Sequence, residues 1–267
     1  MVSNSYYHRI DEQTWQPTEH VQGAWNEHEQ HMAPVAGLLA HALQAHEPRP
    51  DLQTARLSYE ILGLMPLEPT TITCRTVRPG RTIELVEAVM TTASAPERPV
   101  VRATAWRLAS SDTSTVAGNL PDPIPGPDEL GPGDRLAAWP GGFIRSLQAR
   151  LDEPSPGRRF CWLTSPVSLL PAQSDGSPAA GPVAEFVRLV DSANGIAAQL
   201  DPYQWIFPNT DLTIHLWRTP VGPDVGFDTM ATIGPDGVGC TQTVLHDVQG
   251  PVGRASQALT VRRRPSR

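Results

Sequence analysis

The segment Asp191 to Gly195 places a carboxylate and a primary amide in a stretch that is otherwise apolar. It reads Asp-Ser-Ala-Asn-Gly and lies within residues 183–200, where apolar residues recur with helical spacing. Asp191 and Asn194 are three residues apart, so on a helix they project from one face. Because an unpartnered buried carboxylate is costly, Asp191 either lines a cleft that water reaches and has a functional role, or has a structural role in fixing the neighbouring backbone.

Other polar residues could complete a site that binds water. Gln257 interrupts the apolar alternation of a predicted strand, and its amide could hold a water with one end and a carbonyl with the other; a solvent-facing strand position is the alternative. Asn209 and Thr210 come directly before another strand, and either side chain could bind the same water. Asp211 is better explained as a residue that caps the strand. A carboxylate and amides around one water would suit hydrolysis.

These residues belong to one half of a chain that contains an internal repeat. Residues 250–258 repeat the pattern of residues 98–106 at an offset of 152, and an offset of similar size relates other segments. A repeat this long indicates a duplicated domain rather than a solenoid. The alignment sets Ala105 opposite Gln257 and Ala33 opposite Asp191, so the polar residues occur in one copy only.

Each copy is predicted to contain one helix followed by four strands. The helices cover 34–45 and 183–200 and are apolar on most sides, so each must be wrapped by its sheet. The predicted strands are 55–61, 70–77, 82–92, 100–108, 212–218, 225–233, 238–247 and 253–262. One long helix wrapped by a curved antiparallel sheet, present twice, is an α+β architecture. We expect an N-terminal unit at 1–109, a Pro/Gly-rich linker at 110–136 and a C-terminal unit with the site at 137–267.

Composition excludes several classes of protein. The net charge of −7 argues against nucleic acid as a partner, and the run Arg262 to Arg264 is predicted to be a solvated end of the chain. There is no apolar run of about 18 residues that could span a bilayer and no secretory signal, so a cytoplasmic location is expected. The three cysteines lack zinc-site spacing, and the spacing of His28 and His31 does not suit a metalloprotease helix. We expect neither a metal nor a cofactor.

Taken together and in order, the motifs of both halves resemble those of acyl-CoA thioesterases of the double hot-dog type, the TesB-like group. The resemblance spans nearly the whole chain and rests on residues 7–10, 15–18, 30–34, 77–81, 84–87, 191–195, 209–216, 245–247 and 250–257. It implies an acyl-CoA substrate and hydrolysis by an activated water without a covalent intermediate. Exposed sheet edges and faces separately lead us to expect a homodimer.

The resemblance also implies roles for individual residues. Asp191 would be the general base, while Gln257 and either Asn209 or Thr210 would position the water. Backbone N–H groups near a helix start would stabilise the oxyanion. The residues expected to contact substrate are Asn194, Gly195, His31, Arg218 and Arg254, with the two arginines near the phosphates of coenzyme A.

Two alternatives remain open. Many members of this group have two glycines where this chain has Met32 and Ala33, so the protein could instead bind acyl-CoA or another lipid without hydrolysing it. A hot-dog enoyl-CoA hydratase is a weaker alternative, because residues 209–215 do not reproduce the Asp-x-Asn-Pro-x-His pattern of those enzymes.

Overall fold

A single long antiparallel sheet dominates the fold. The computed structural model describes residues 4–133, 139–152, 155, 157–176 and 178–265. Thirteen strands form the sheet in the order β1-β2-β4-β5-β6-β3-β11-β14-β13-β12-β9-β8-β7. Their bounds are β1 Tyr7–Arg9, β2 Thr14–Pro17, β3 Leu52–Ile61, β4 Thr70–Arg78, β5 Ile83–Thr92, β6 Val101–Ala109, β7 Gly131–Pro132, β8 Gln148–Leu151, β9 Arg158–Thr164, β11 Asp211–Leu216, β12 Val225–Ile233, β13 Val238–Asp247 and β14 Gly250–Thr260.

The strand order shows the internal repeat. The series β4-β5-β6-β3 is mirrored by β12-β13-β14-β11, and the two series join where β3 pairs with β11. At this seam Leu57 lies opposite Ile214 and Ser58 opposite Thr213. The eight strands predicted from the sequence are all present, whereas the short strands β1, β2, β7, β8 and β9 were not predicted. The α+β class is therefore confirmed.

The first helix is close to its prediction. Helix α1 covers Met32–Ala45, beginning two residues before the predicted start. Its apolar side chains, such as Leu38, Leu39 and Leu43, are fully buried in the main core. The sheet of the first half packs around this helix, as its all-round apolar character requires.

The prediction of one long helix over 183–200 is wrong. The segment forms α3 at Pro182–Val187, a 3-10 turn at Val190–Ser192 and α4 at Ala193–Ile196, and the chain beyond Ala197 is not helical. Asp, Ser, Asn and Gly fall within the five residues 191–195, and all four are weaker helix formers than Ala or Leu. The side chain of Asp191 accepts hydrogen bonds from Asn209 and Gln257, which lie far away in the sequence. The helix changes to a 3-10 turn at that residue.

Helices α1 and α3 cross at very close range. A β-carbon placed on Gly37 would lie 2.6 Å from the β-carbon of Arg188 and 3.0 Å from the carbonyl oxygen of Ala184. Because only glycine leaves room for this approach, Gly37 sets the spacing between the two halves of the helical layer.

The segment after β6 contains little regular structure. In its described part, up to residue 133, it has a short 3-10 turn at Pro127–Glu129 and the two-residue edge strand β7. It is held against the sheet where the indole of Trp162 donates to the carbonyl of Pro125. Residues 134–136 of the predicted linker lie outside the described residues, and the unit boundaries stay predictions.

Two further features lie outside the main sheet. The helix α2 covers Gly142–Arg145, and the two-stranded ladder of β10 (Trp205–Ile206) with β15 (Arg262–Arg263) stands apart. Along the described part of the chain, we find no helix with the length and apolar character needed to cross a bilayer.

Candidate functional site

Asp191 lies at the break between α3 and α4. Its residue surface is 3% exposed, so the carboxylate is buried among strands and helices of both halves. Its Oδ1 accepts a hydrogen bond of 2.7 Å from Asn209 Nδ2 and another of 2.8 Å from Gln257 Nε2. Both amides converge on Oδ1, so these two hydrogen bonds leave Oδ2 available as an acceptor.

Neighbouring groups fix the orientation of each amide. The hydroxyl of Thr241 donates to Gln257 Oε1 at 2.6 Å, which turns the NH₂ end of that side chain toward Asp191. Asn209 Nδ2 also donates to the carbonyl of Asp211 at 3.0 Å, so its Oδ1 is the atom available to accept from a water. The two amides therefore present donors to the carboxylate in a fixed geometry.

The buried environment changes the acidity of Asp191. Desolvation raises its pKa from 3.8 to about 7, although the hydrogen bonds from Asn209 and Gln257 lower it and the nearby charge of Asp211 raises it further. A carboxyl that titrates near neutral pH can take up a proton and release it again in one reaction. These are the properties of a general base.

The N-terminal end of α1 faces the same space. His31 precedes the helix, and its Nδ1 accepts from the N–H of Ala33 at 3.1 Å. Burial lowers the pKa of His31 to about 3, so the ring is neutral and carries its proton on Nε2. The ring also packs on Phe143, with the centroids 4.2 Å apart. The side chain is therefore held as a neutral N–H donor.

The backbone at this end offers a second donor. The N–H of Val35 reaches the carbonyl of His31, the N–H of Ala33 binds the His31 ring, and Pro34 has no N–H. The remaining N–H of the first turn belongs to Met32, and N–H groups at a helix start point outward with partial positive charge. An oxyanion would be stabilised here.

A pocket with a volume of about 150 Å³ connects these groups. It is lined on one side by Asp191, Asn194 and Asn209, and on the other by His31 and Met32. The other lining residues are Gly23, Ala24, Trp25, Asn26, Glu29, Gln30, Ile61, Gly63, Leu64, Met65 and Pro208. Gly195, one position beyond Asn194, is half-buried, and no atom lies within 4 Å of a β-carbon built on it.

Five predicted site residues do not line this pocket. Gln257 is joined to it through the hydrogen bond to Asp191 and Gly195 adjoins Asn194, whereas Thr210, Arg218 and Arg254 lie elsewhere. Thr210 is exposed, and its backbone rather than its hydroxyl takes part in the sheet, so Asn209 is the residue that contacts Asp191. Arg218 forms a two-pronged ion pair with Asp247, with one contact of 2.6 Å, at the β13–β14 hairpin.

Arg254 is exposed and lies on the outer face of β14. It is three residues from Gln257 on that strand, and side chains an odd number of positions apart point to opposite faces. The structure therefore does not bring Arg218 or Arg254 to the pocket.

Some residues of the site were not predicted. Thr241 lies directly opposite Gln257 in the β13–β14 register and is fully buried. The sequence did not reveal this pairing, because the turn at 247–250 alone would set Cys240 opposite Gln257, and a bulge between Leu245 and His246 shifts the register by one residue. Gln30 is 3% exposed and accepts from the hydroxyl of Tyr7 at 2.9 Å; it begins the motif at residues 30–34, but no role was predicted for it.

The site contains no arrangement suited to a metal ion. Within the described ranges, no group of three or more His, Cys, Asp and Glu side chains is close enough to hold one. Asp191 is surrounded by amide donors, which favour a carboxylate facing a water.

Known structures share this fold. A putative thioesterase II from Thermobifida fusca YX is 17% identical, with 97% of this chain and 96% of that chain aligned at a TM-score of 0.73. A protein with a hot-dog fold from Alicyclobacillus acidocaldarius is 14% identical, with coverage of 99% and 98% and a TM-score of 0.75. The acyl-CoA thioesterase II TesB2 from Mycobacterium marinum is 13% identical, with coverage of 98% and 96% and a TM-score of 0.66. The predicted double hot-dog fold is confirmed.

Two family models match consecutive parts of the chain. Residues 21–108 match the acyl-CoA thioesterase N-terminal domain, and residues 121–261 match the acyl-CoA thioesterase C-terminal domain. A comparison with curated proteins gives no match. The two matched segments cover most of the sequence, and the chain belongs to the acyl-CoA thioesterase family of thioester hydrolases.

Proposed function

We propose that the protein hydrolyses acyl-CoA thioesters by direct attack of a water that Asp191 deprotonates. The observation that carries this proposal is the buried Asp191 carboxylate, which two oriented amides hold by one oxygen, across the pocket from the start of α1. A carboxylate so placed can bind a water through Oδ2, while Asn209 Oδ1 accepts the water's second hydrogen.

The reaction then has four parts. Asp191 takes a proton from the water as the water oxygen bonds to the thioester carbon. The carbonyl oxygen becomes an oxyanion, which the N–H of Met32 and the Nε2–H of His31 stabilise. Collapse of this intermediate breaks the carbon–sulfur bond, and the thiolate leaves. The proton held by Asp191 passes to the sulfur, so the carboxylate is restored.

The alternative of a protein that binds acyl-CoA without turnover rests on the departure at Met32 and Ala33. The structure supports activity at this point, because the Ala33 N–H fixes the His31 ring and the Met32 N–H remains free for the oxyanion.

Release of free thiol from a panel of acyl-CoAs tests the proposal. Pockets that hold drug-sized ligands measure about 300 to 1,000 Å³, so the pocket of about 150 Å³ should favour short acyl chains. We expect turnover with an optimum among the short chains. If no acyl-CoA is hydrolysed but several raise the melting temperature, the protein is a binding module.

A homodimer and a cytoplasmic location remain predictions. One chain already contains two hot-dog repeats, and a second copy would pack against the ends of the long sheet. Sedimentation velocity at several concentrations would test the dimer, and a single species with the monomer mass would contradict it.

A further inference from the structure

Beside the catalytic pocket lies a larger groove with a different chemical character. Its volume is about 790 Å³, and it is lined by Ala24, Trp25, Trp139, Pro140, Pro202, Tyr203, Gln204, Arg263, Arg264 and Pro265. Ala24 and Trp25 line both the groove and the catalytic pocket, so the two spaces meet at these residues. A ligand that is held in the groove could reach the catalytic carboxylate.

Aromatic packing makes the wall of the groove rigid. Trp25 packs edge-on against Trp139 at 4.8 Å and against Phe207 at 5.1 Å between ring centroids. Phe207 is buried, whereas both indoles are partly exposed. Tyr203, at the rim, is 76% exposed, which is unusual for a tyrosine with no packing role.

Two arginines contribute positive charge at the same place. The ladder of β10 with β15 sets Arg263 opposite Trp205, and its guanidinium lies 4.9 Å from that indole. Arg264 stacks over Trp25 at 5.6 Å and donates from Nε to the carbonyl of Pro202 at 2.7 Å. The run that the sequence predicts to be a solvated end is thus held against aromatic rings.

The charges of the groove are not neutralised from within. Across the described part of the chain, neither Arg263 nor Arg264 forms an ion pair with a carboxylate. The nearest acid along the turn, Asp201, accepts from the N–H of Tyr203 and from the amide of Gln204. In a chain of net charge −7, this is a local excess of positive charge.

We propose that this groove binds the nucleotide end of coenzyme A, the 3′-phosphorylated adenosine with its diphosphate. Arginine binds phosphate through paired N–H donors, and aromatic faces such as Tyr203 stack on a base. The pantetheine arm would pass Trp25 into the catalytic pocket. The inference rests on the proposed function and specifies which group carries the acyl chain to the pocket. That carrier is a nucleotide rather than an acidic carrier protein, because a carrier protein would not need a stacking surface.

The test compares two thioesters of the same short acid, one of coenzyme A and one of pantetheine, which lacks the nucleotide. For the wild-type protein, kcat/KM should be higher with the coenzyme A ester. Arg263→Ala and Tyr203→Ala should each lower the ratio of the two kcat/KM values about tenfold, as expected for one lost charged contact or one lost stacking partner. Arg81→Ala removes the same charge from an exposed turn between β4 and β5 and should leave the ratio unchanged.

Other outcomes separate this inference from the proposed function. An equal ratio in the wild type and in both variants would overturn the nucleotide subsite while thioesterase activity stands, and a preference for an acylated carrier protein over the coenzyme A ester would do the same. If neither ester is hydrolysed, calorimetry with adenosine 3′,5′-bisphosphate decides the subsite. Binding that weakens about tenfold in Arg263→Ala supports it, and no binding to the wild type contradicts it.

Discussion

Replacing the buried Asp191 carboxylate should make the protein more stable at neutral pH. The substitution Asp191→Asn keeps an oxygen that can accept from Asn209 and Gln257 but removes the charge that burial penalises. Desolvation raises the pKa of Asp191 from 3.8 to about 7, so the folded state binds a proton more tightly than the unfolded chain does. The stability that this proton provides is complete below pH about 4 and is lost as the pH rises to about 7.

The size of the effect follows from the difference between the pKa of Asp191 in the unfolded chain and in the folded protein. About three pKa units, at 1.36 kcal/mol for each, correspond to about 4 kcal/mol. Relative to the wild type, Asp191→Asn should therefore gain about 4 kcal/mol in free energy of unfolding between pH 4 and pH 7. Above pH 7 the difference should stay constant, because the residue is then ionised in both states.

Urea denaturation followed by tryptophan fluorescence at pH 5, 6, 7 and 8 measures this difference. The exposed turn residue Asp236 offers a control, since Asp236→Asn removes a carboxylate that is not buried. A difference between Asp191→Asn and wild type that does not change with pH would refute the reasoning. So would a variant that is less stable than the wild type at pH 8.

Three further predictions concern the site and its support. Since Asp191 must be ionised to act, kcat/KM should rise about tenfold per pH unit and level off above about 7; a flat profile from pH 5 to 8 would exclude it as the base. Thr241→Val removes the hydroxyl that orients Gln257 and should lower kcat about tenfold with little change in KM, whereas an unchanged kcat would leave Thr241 without a positioning role. Gly37→Ala should lower the free energy of unfolding by about 1 to 3 kcal/mol, because the new β-carbon would clash with Arg188. An unchanged urea midpoint would show that α1 and α3 can move apart without a loss of stability.

Polar residues in an apolar frame were the sequence features that located the site. Asp191 and Gln257 stood out because their neighbours are apolar and because the first repeat has alanine at the matching positions. The structure brings both into contact, together with Asn209. The break in the helix at Asp191 could not be predicted from periodicity, because it depends on partners 18 and 66 residues further along the chain.

The arginines near the site were not predicted correctly from the sequence. The spacing of Arg254 and Gln257 on one strand already implied opposite faces, so this misplacement was avoidable. The ion pair between Arg218 and Asp247, which are 29 residues apart, could not be predicted from composition. Arg263 and Arg264 do lie near the pocket, although the sequence predicts a solvated end of the chain there. Strand β15 is too short to predict and pairs outside the main sheet.

The central claim is that Asp191 activates water for hydrolysis of an acyl-CoA thioester. Thiol release by the wild type, Asp191→Asn and Thr210→Val, all with one short acyl-CoA, tests it most directly. Loss of a general base should cost Asp191→Asn about a hundredfold or more in kcat, while Thr210→Val, next to the site but exposed, should match the wild type. An Asp191→Asn variant that releases thiol as fast as the wild type would contradict the account.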